Sequence, residues 1–157
     1  DSREYRLKHL FADIVQNYDY IIIDCPPSLG LLTLNALCAS DGVLIPVQCE
    51  YYALEGLSDL IYTLRAVKQK LNPELEIEGV LLTMYDSRTN LSIQVAKEIK
   101  RYMPGKIFGA VIPRNVRLSE APSHGLPAIV YDNSSRGSAA YLRLANELIG
   151  RNGGRSA

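Results

Sequence analysis

The chain has 157 residues, enough for a domain with a substantial core, and 47% of them are hydrophobic against 22% charged. Seventeen basic and seventeen acidic residues cancel, which excludes a polycation that binds by bulk charge but leaves room for a local basic patch. No apolar run approaches the about 20 residues of a membrane helix, and no secretory leader is visible at the start, so a cytoplasmic protein without a membrane role is expected. Cys25, Cys38 and Cys49 lack metal-ligand spacing and lie among apolar residues. They read as buried, reduced thiols.

In chain order, Ser2 is placed to cap a helix reaching about Gln16, with Leu7, Leu10, Phe11, Ile14 and Val15 on one face. The β-branched run Tyr20 to Asp24 reads as a strand, and Leu29 to Ala39 as a mostly buried helix. Asp41-Gly42 turns the chain into a strand over Val43 to Val47. A loop from Glu50 leads to a helix from about Leu54 to Leu71, ended by Asn72-Pro73. A strand is expected over Ile77 to Met84, a polar loop over Tyr85 to Thr89, and an amphipathic helix over Leu91 to Tyr102 that Asn90 would cap. Pro104-Gly105 breaks that helix, a strand follows over Ile107 to Ile112, and Pro113 opens a second loop. Val116 to about Pro122 is expected as a short helix, Ala128 to Tyr131 as a short strand, and Ser135 to Ile149 as a closing helix. Residues 1–150 then form part of one domain, and Arg151 to Ala157, with two glycines, a disordered tail. The alternation implies an α/β fold, a mostly parallel sheet with helices on both faces.

The stretch Tyr18 to Gly30 stands out chemically. A run of large apolar residues stops at one carboxylate, Asp24, and Cys25-Pro26-Pro27-Ser28-Leu29-Gly30 follows. A carboxylate at the carboxyl end of a parallel strand sits where open α/β sheets bind ligands. Pro-Pro can neither continue a strand ladder nor enter a helix interior, so it forces a stiff loop. Residue types alone leave two readings open, a ligand-side carboxylate or a buried strand ending in a helix cap.

The whole block from Tyr18 to Leu37 closely resembles the Walker B and switch II region of ParA/Soj-type partition ATPases, of the deviant-Walker-A P-loop NTPase group that also contains MinD. The resemblance extends from Arg6 to Gly150 and covers about the later two-thirds of the family's chain. It implies that Asp24 is catalytic and holds Mg²⁺ through water, and that Pro26, Pro27, Ser28 and Gly30 form switch II. Ile112-Pro113-Arg114-Asn115 is similar to the loop over the adenine ring, which assigns Pro113, Arg114 and Asn115, with Thr83 and Met84, to binding ATP or ADP. Arg88 and Arg117 match a basic surface that binds DNA without sequence preference; nothing local requires an arginine at position 88. Lys97 reads as part of a solvated helix face beside Glu98. His124 has no triad partners and reads as a turn residue. Tyr51 and Tyr52 receive no sharper assignment than shaping a loop.

The family's glycine-rich phosphate loop and switch I aspartate are expected upstream of the Walker B strand, yet Gly-Lys-Thr occurs nowhere in this chain. The expectation is therefore the C-terminal part of a nucleoid-associated partition ATPase, inactive on its own. The intact protein would form an ATP-dependent homodimer, bind DNA and respond to a ParB-type partner. A MinD-like cell-division-positioning ATPase is the alternative, weakened by a tail that lacks a basic, bulky amphipathic helix. A non-catalytic DNA- or partner-binding fragment is another. Without the phosphate-loop strand beside it, Tyr20 to Asp24 would keep an open edge that another chain, a second copy first, should fill.

Overall fold

The computed structural model describes residues 2–26 and 28–153. Pro27 and the last four residues of the expected tail lie outside the described residues.

Among the described residues, β1 (Gly42–Gln48), β2 (Glu76–Tyr85) and β3 (Ile107–Pro113) form a sheet in the order β1-β2-β3. β2 and β3 run parallel. The Glu76 amide donates to the Asp41 carbonyl at 2.9 Å and the Cys49 amide to the Thr83 carbonyl at 3.1 Å, so β1 runs parallel to β2 as well. Parallel neighbours need long crossovers, and α3 (Ala53–Lys70) and α4 (Asn90–Tyr102) supply them. Val80, Leu81 and Leu82 are consecutive and all buried, so both faces of β2 are covered. Pro46 lies exposed in β1, an edge strand of this sheet, where a missing N–H does least harm. The α/β class expected from the alternation of elements is the one observed.

The chain divides into two compact units. The first comprises residues up to Val43 with Ser58–Glu78. Its centre is α2 (Leu31–Ala39), which buries Ala36, Leu37 and Cys38. The buried Asn35 carboxamide satisfies backbone groups at a distance, accepting from the Leu7 amide and donating to the Arg3 and Leu31 carbonyls. Asn72 does the same after α3, donating to the Leu37 and Ser40 carbonyls at 2.9 and 2.8 Å.

The second unit comprises Leu44–Leu57 with Gly79–Ala157. Its core contains Leu81, Phe108, Ala110, Ile112, Ala140 and Leu144, with α7 (Arg136–Gly153) packed on β3. Gly137 lets α7 approach α5 (Val116–Glu120): a Cβ there would lie 2.6 Å from Leu118 Cγ.

Several expectations fail, for physical reasons. Tyr20 to Asp24 is not a strand: no described segment pairs with it, and Ile22 is 86% exposed. Strand propensity fits a pleated, half-buried surface and cannot act without a neighbouring ladder. The helix from Ser2 to Gln16 is reduced to α1 (Arg6–Phe11) between two 3₁₀ turns, Arg3–Tyr5 and Val15–Asn17. Its apolar stripe is only partly covered: Leu7 and Phe11 are half-buried, Leu10 is 72% exposed, and Ile14 and Val15 beyond it are exposed. A helix draws most of its stability from burying such a stripe. Ala128 to Tyr131 is helical, as α6, not a strand. Pro127 opens it, and the fully buried Ser138 hydroxyl lies 3.0 Å from the Ala128 carbonyl and 2.6 Å from that of Asp132. These contacts override the β-branched propensity of Ile129 and Val130. The expected tail begins too early: Arg151 to Gly153 continue α7. Cys38 and Cys49 are buried free thiols, whereas Cys25 is exposed.

Candidate functional site

In the second unit the ends of β2 and β3 come together, which joins five sequence-predicted residues around one loop pair. Tyr85 pairs with Pro113 in the ladder, and the Arg114 amide donates to the Tyr85 carbonyl at 3.1 Å. Thr83 and Met84 immediately precede Tyr85 and are half-buried. Asn115 caps α5, its Oδ1 accepting from the Leu118 amide at 3.4 Å. The Arg114 guanidinium approaches Glu50 at 3.4 Å, both side chains being more than half exposed.

This junction is built from two irregularities. Between Val80↔Ile107 and Leu82↔Val111, β2 advances two residues while β3 advances four. Between Leu82↔Val111 and Tyr85↔Pro113, β2 advances three and β3 two. Uninterrupted pairing would have set Pro113 opposite residue 86; the bulges set it opposite Tyr85. In the second irregularity Met84 adopts φ +52°, left-handed backbone that a non-glycine residue rarely enters. Such outliers persist where surrounding structure holds them and gather at functional sites.

A side-chain clamp holds the β3 bulge. Glu147 accepts from the Gly109 and Ala110 amides, both at 2.8 Å. One helical turn on, Arg151 bonds Glu147 at 2.6 Å, donates to the Ile107 carbonyl at 2.8 Å and lies 4.1 Å over the Phe108 ring. Burial alone would raise the Glu147 carboxyl. The two backbone amides and the guanidinium outweigh it and hold the carboxyl below its ordinary value.

Both arginines expected on the basic surface carry carboxylate partners. Asp86 grips Arg88 side-on: Oδ1 accepts from Nε at 2.9 Å and from the backbone amide at 3.0 Å, and Oδ2 from Nη2 at 2.8 Å. The Arg88 side-chain and backbone bonds hold the Asp86 carboxyl down at about 2. The expectation that nothing local requires Arg88 is therefore corrected. Arg117 meets Glu120 at 2.9 Å and Asp132 at 3.3 Å. Bonding from Arg117, aided by the Tyr131 hydroxyl, holds Glu120 below the usual carboxylate range. Thr89, not Asn90, caps α4, its hydroxyl accepting from the Ser92 amide at 3.4 Å. His124 stacks on Tyr131 with centroids 4.8 Å apart. Tyr51 and Tyr52 are exposed and meet edge to face.

The Asp24 segment belongs to the first unit. Asp24, Pro26, Ser28 and Gly30 are all exposed. Gly30 precedes α2 in extended conformation, and its carbonyl accepts from the Leu34 amide at 3.0 Å. The Thr33 hydroxyl donates to the Ser28 carbonyl at 2.5 Å, closing the loop onto the helix. What burial Cys25 has, and then the Asp24 charge, push its thiol up, away from thiolate chemistry. No cluster of three acid, His or Cys side chains able to hold a metal occurs among the described residues. A lone exposed carboxylate fits Mg²⁺ held through its water shell, not a directly ligated ion.

Comparison with known proteins bears on identity. The chain is 67% identical to the sporulation initiation inhibitor protein Soj of Bacillus subtilis over 94% of its length, covering 58% of that protein. It is 59% identical to the chromosome partitioning protein ParA of Myxococcus xanthus over 96% of its length, covering 53% of that protein. This is a ParA/Soj-type sequence. An AAA domain family model matches residues 1–77. Among solved structures, cobyrinic acid a,c-diamide synthase from Mycobacterium smegmatis with bound ATP analog and magnesium superimposes with TM-score 0.80 at 37% identity, over 94% of this chain and 54% of that one. The chain thus spans a little over half the length of the ParA/Soj relatives it matches.

Sequence reasoning missed Glu50, Asp86, Glu120, Asp132, Glu147 and Arg151. Three of these pairings had a local signal: Asp86 two residues before Arg88, Arg117 to Glu120 at i,i+3, and Glu147 to Arg151 at i,i+4. Glu50–Arg114, joining residues 64 apart, had none.

Proposed function

We propose that this chain is the later part of a single ATPase domain, that of a ParA/Soj-type chromosome or plasmid partition protein acting in the cytoplasm on the nucleoid. The protein binds Mg-ATP, dimerises with nucleotide bound, coats DNA without sequence preference and hydrolyses ATP when a ParB-type partner stimulates it. The observation that carries the reading is 67% identity to Soj across nearly the whole chain. The partition role is supported by the likeness to the chromosome partitioning protein ParA of Myxococcus xanthus.

In this reading Asp24 holds the water shell of Mg²⁺, the ion supplying charge neutralisation at the phosphates. Pro26, Pro27, Ser28 and Gly30 act as switch II. Thr83, Met84, Pro113, Arg114 and Asn115 receive the adenine base, an assignment supported by the meeting of the β2 and β3 ends. Arg88 and Arg117 contact DNA phosphates. The test is ATP turnover by the protein that carries this chain, with duplex DNA and a ParB-type partner. Turnover should rise with both and vanish in Asp24→Ala; indifference to both additions would overturn the proposal. For the 157 residues by themselves, the absence of Gly-Lys-Thr favours a second reading, a non-catalytic DNA- or partner-binding role.

A further inference from the structure

We propose that Asp86 is a positioning residue: it holds one edge of the Arg88 guanidinium so that the other edge meets a nucleic-acid phosphate. The inference rests on the DNA reading of Arg88 given above and specifies how that contact is prepared.

The geometry separates two edges of one side chain. Asp86 engages Nε and one hydrogen of Nη2. Both Nη1 hydrogens and the second on Nη2 remain, a planar pair of donors of the kind that takes a phosphate bidentately. The Asp86 side chain is 19% exposed and that of Arg88 87%, so the carboxylate forms a sheltered foot beneath an open fork. The foot is fixed to the backbone. Its Oδ1 also accepts the Arg88 amide, and the Asp86 carbonyl lies 3.1 Å from both the Thr89 amide and the Thr89 hydroxyl that caps α4. Arg117 differs, because two carboxylates share its guanidinium.

Two effects of Asp86 on a phosphate oppose one another. Its charge repels the phosphate across the guanidinium, which in screened water changes affinity by less than about 2-fold. Immobilising a rotamer-rich arginine in advance saves the phosphate that ordering, about 2- to 10-fold. Orientation therefore outweighs repulsion, and removing a negative charge here should weaken binding to a polyanion.

The experiment is fluorescence anisotropy of a short labelled duplex of arbitrary sequence with the protein that carries this chain, saturated with Mg-ATP, at several salt concentrations. Asp86→Asn should weaken binding about 3-fold. Arg88→Ala should weaken it too and lower the log–log salt slope by about one. The double variant should match Arg88→Ala, since Asp86 acts through Arg88. Arg88→Lys, which keeps the charge without the fork, should fall most of the way to Ala. In NMR spectra the Arg88 Nε–H should be protected from exchange in the wild type and lose that protection in Asp86→Asn. Tighter or unchanged binding by Asp86→Asn, with Arg88→Ala still weak, overturns the positioning role alone. If Asp86→Asn does not fold, Arg88→Lys binding as wild type has the same force. Arg88→Ala without effect, or no DNA binding by the wild type, overturns the DNA reading and the proposal with it.

Discussion

Replacing Glu147 by alanine removes the clamp on β3, and its cost can be worked from the structure. The variant loses two charge-assisted bonds of 2.8 Å from backbone amides. Gly109 is exposed, so its N–H turns to water at small cost, whereas Ala110 is 7% exposed and its N–H is left unsatisfied. A buried amide without a partner costs roughly 1–3 kcal/mol, and the lost Arg151 ion pair adds at most about 1 kcal/mol. We expect a total near 3 kcal/mol. With a urea slope of about 2 kcal/mol/M, the midpoint of unfolding followed by circular dichroism should fall by about 1.5 M. Glu147→Gln, which keeps one acceptor oxygen, should lie between. Because the folded Glu147 carboxyl sits below its unfolded value, its contribution is complete above the unfolded value of about 4.3. It disappears as pH falls through the folded value, so wild type and Glu147→Ala should converge in acid. Hydrogen exchange at Ala110 should accelerate with the midpoint shift. A change within about 0.5 kcal/mol at neutral pH, the usual range for a surface substitution, would refute the reasoning.

Other outcomes follow from other elements. Met84 at φ +52° should tolerate Asn, which visits left-handed backbone, and resist Val by about 1–2 kcal/mol in thermal unfolding; equal tolerance would contradict the strain. Ile22→Lys should leave the urea midpoint within about 0.5 kcal/mol, because the side chain is 86% exposed, and a loss above about 2 kcal/mol would show that it packs in a core. The 157-residue chain alone should turn over no ATP, since it holds no Gly-Lys-Thr phosphate cradle. Steady turnover abolished by Asp24→Ala would falsify that.

The sequence by itself determined the elements whose signal is local. The apolar period of α3 and α4, the β-branched runs of β1, β2 and β3, and the breaks at Asn72-Pro73 and Pro104-Gly105 placed those elements within a residue or two. Its motifs also led to the ParA/Soj family, because loop chemistry such as Asp24-Cys25-Pro26-Pro27 and Ile112-Pro113-Arg114-Asn115 is written in contiguous residues. Tertiary structure alone decided what depends on distant partners. Tyr20 to Asp24 has the composition of a strand yet stays unpaired, because a ladder needs a neighbour that no local pattern supplies. Ala128 to Tyr131 coils into a helix because Ser138, ten residues on from Ala128, sits at its carbonyls. The register at the candidate site is set by two bulges, one held from α7 by Glu147 and Arg151. A one-residue slip in a strand changes which side chains face each other, and nothing within either strand encodes which slip the clamp selects.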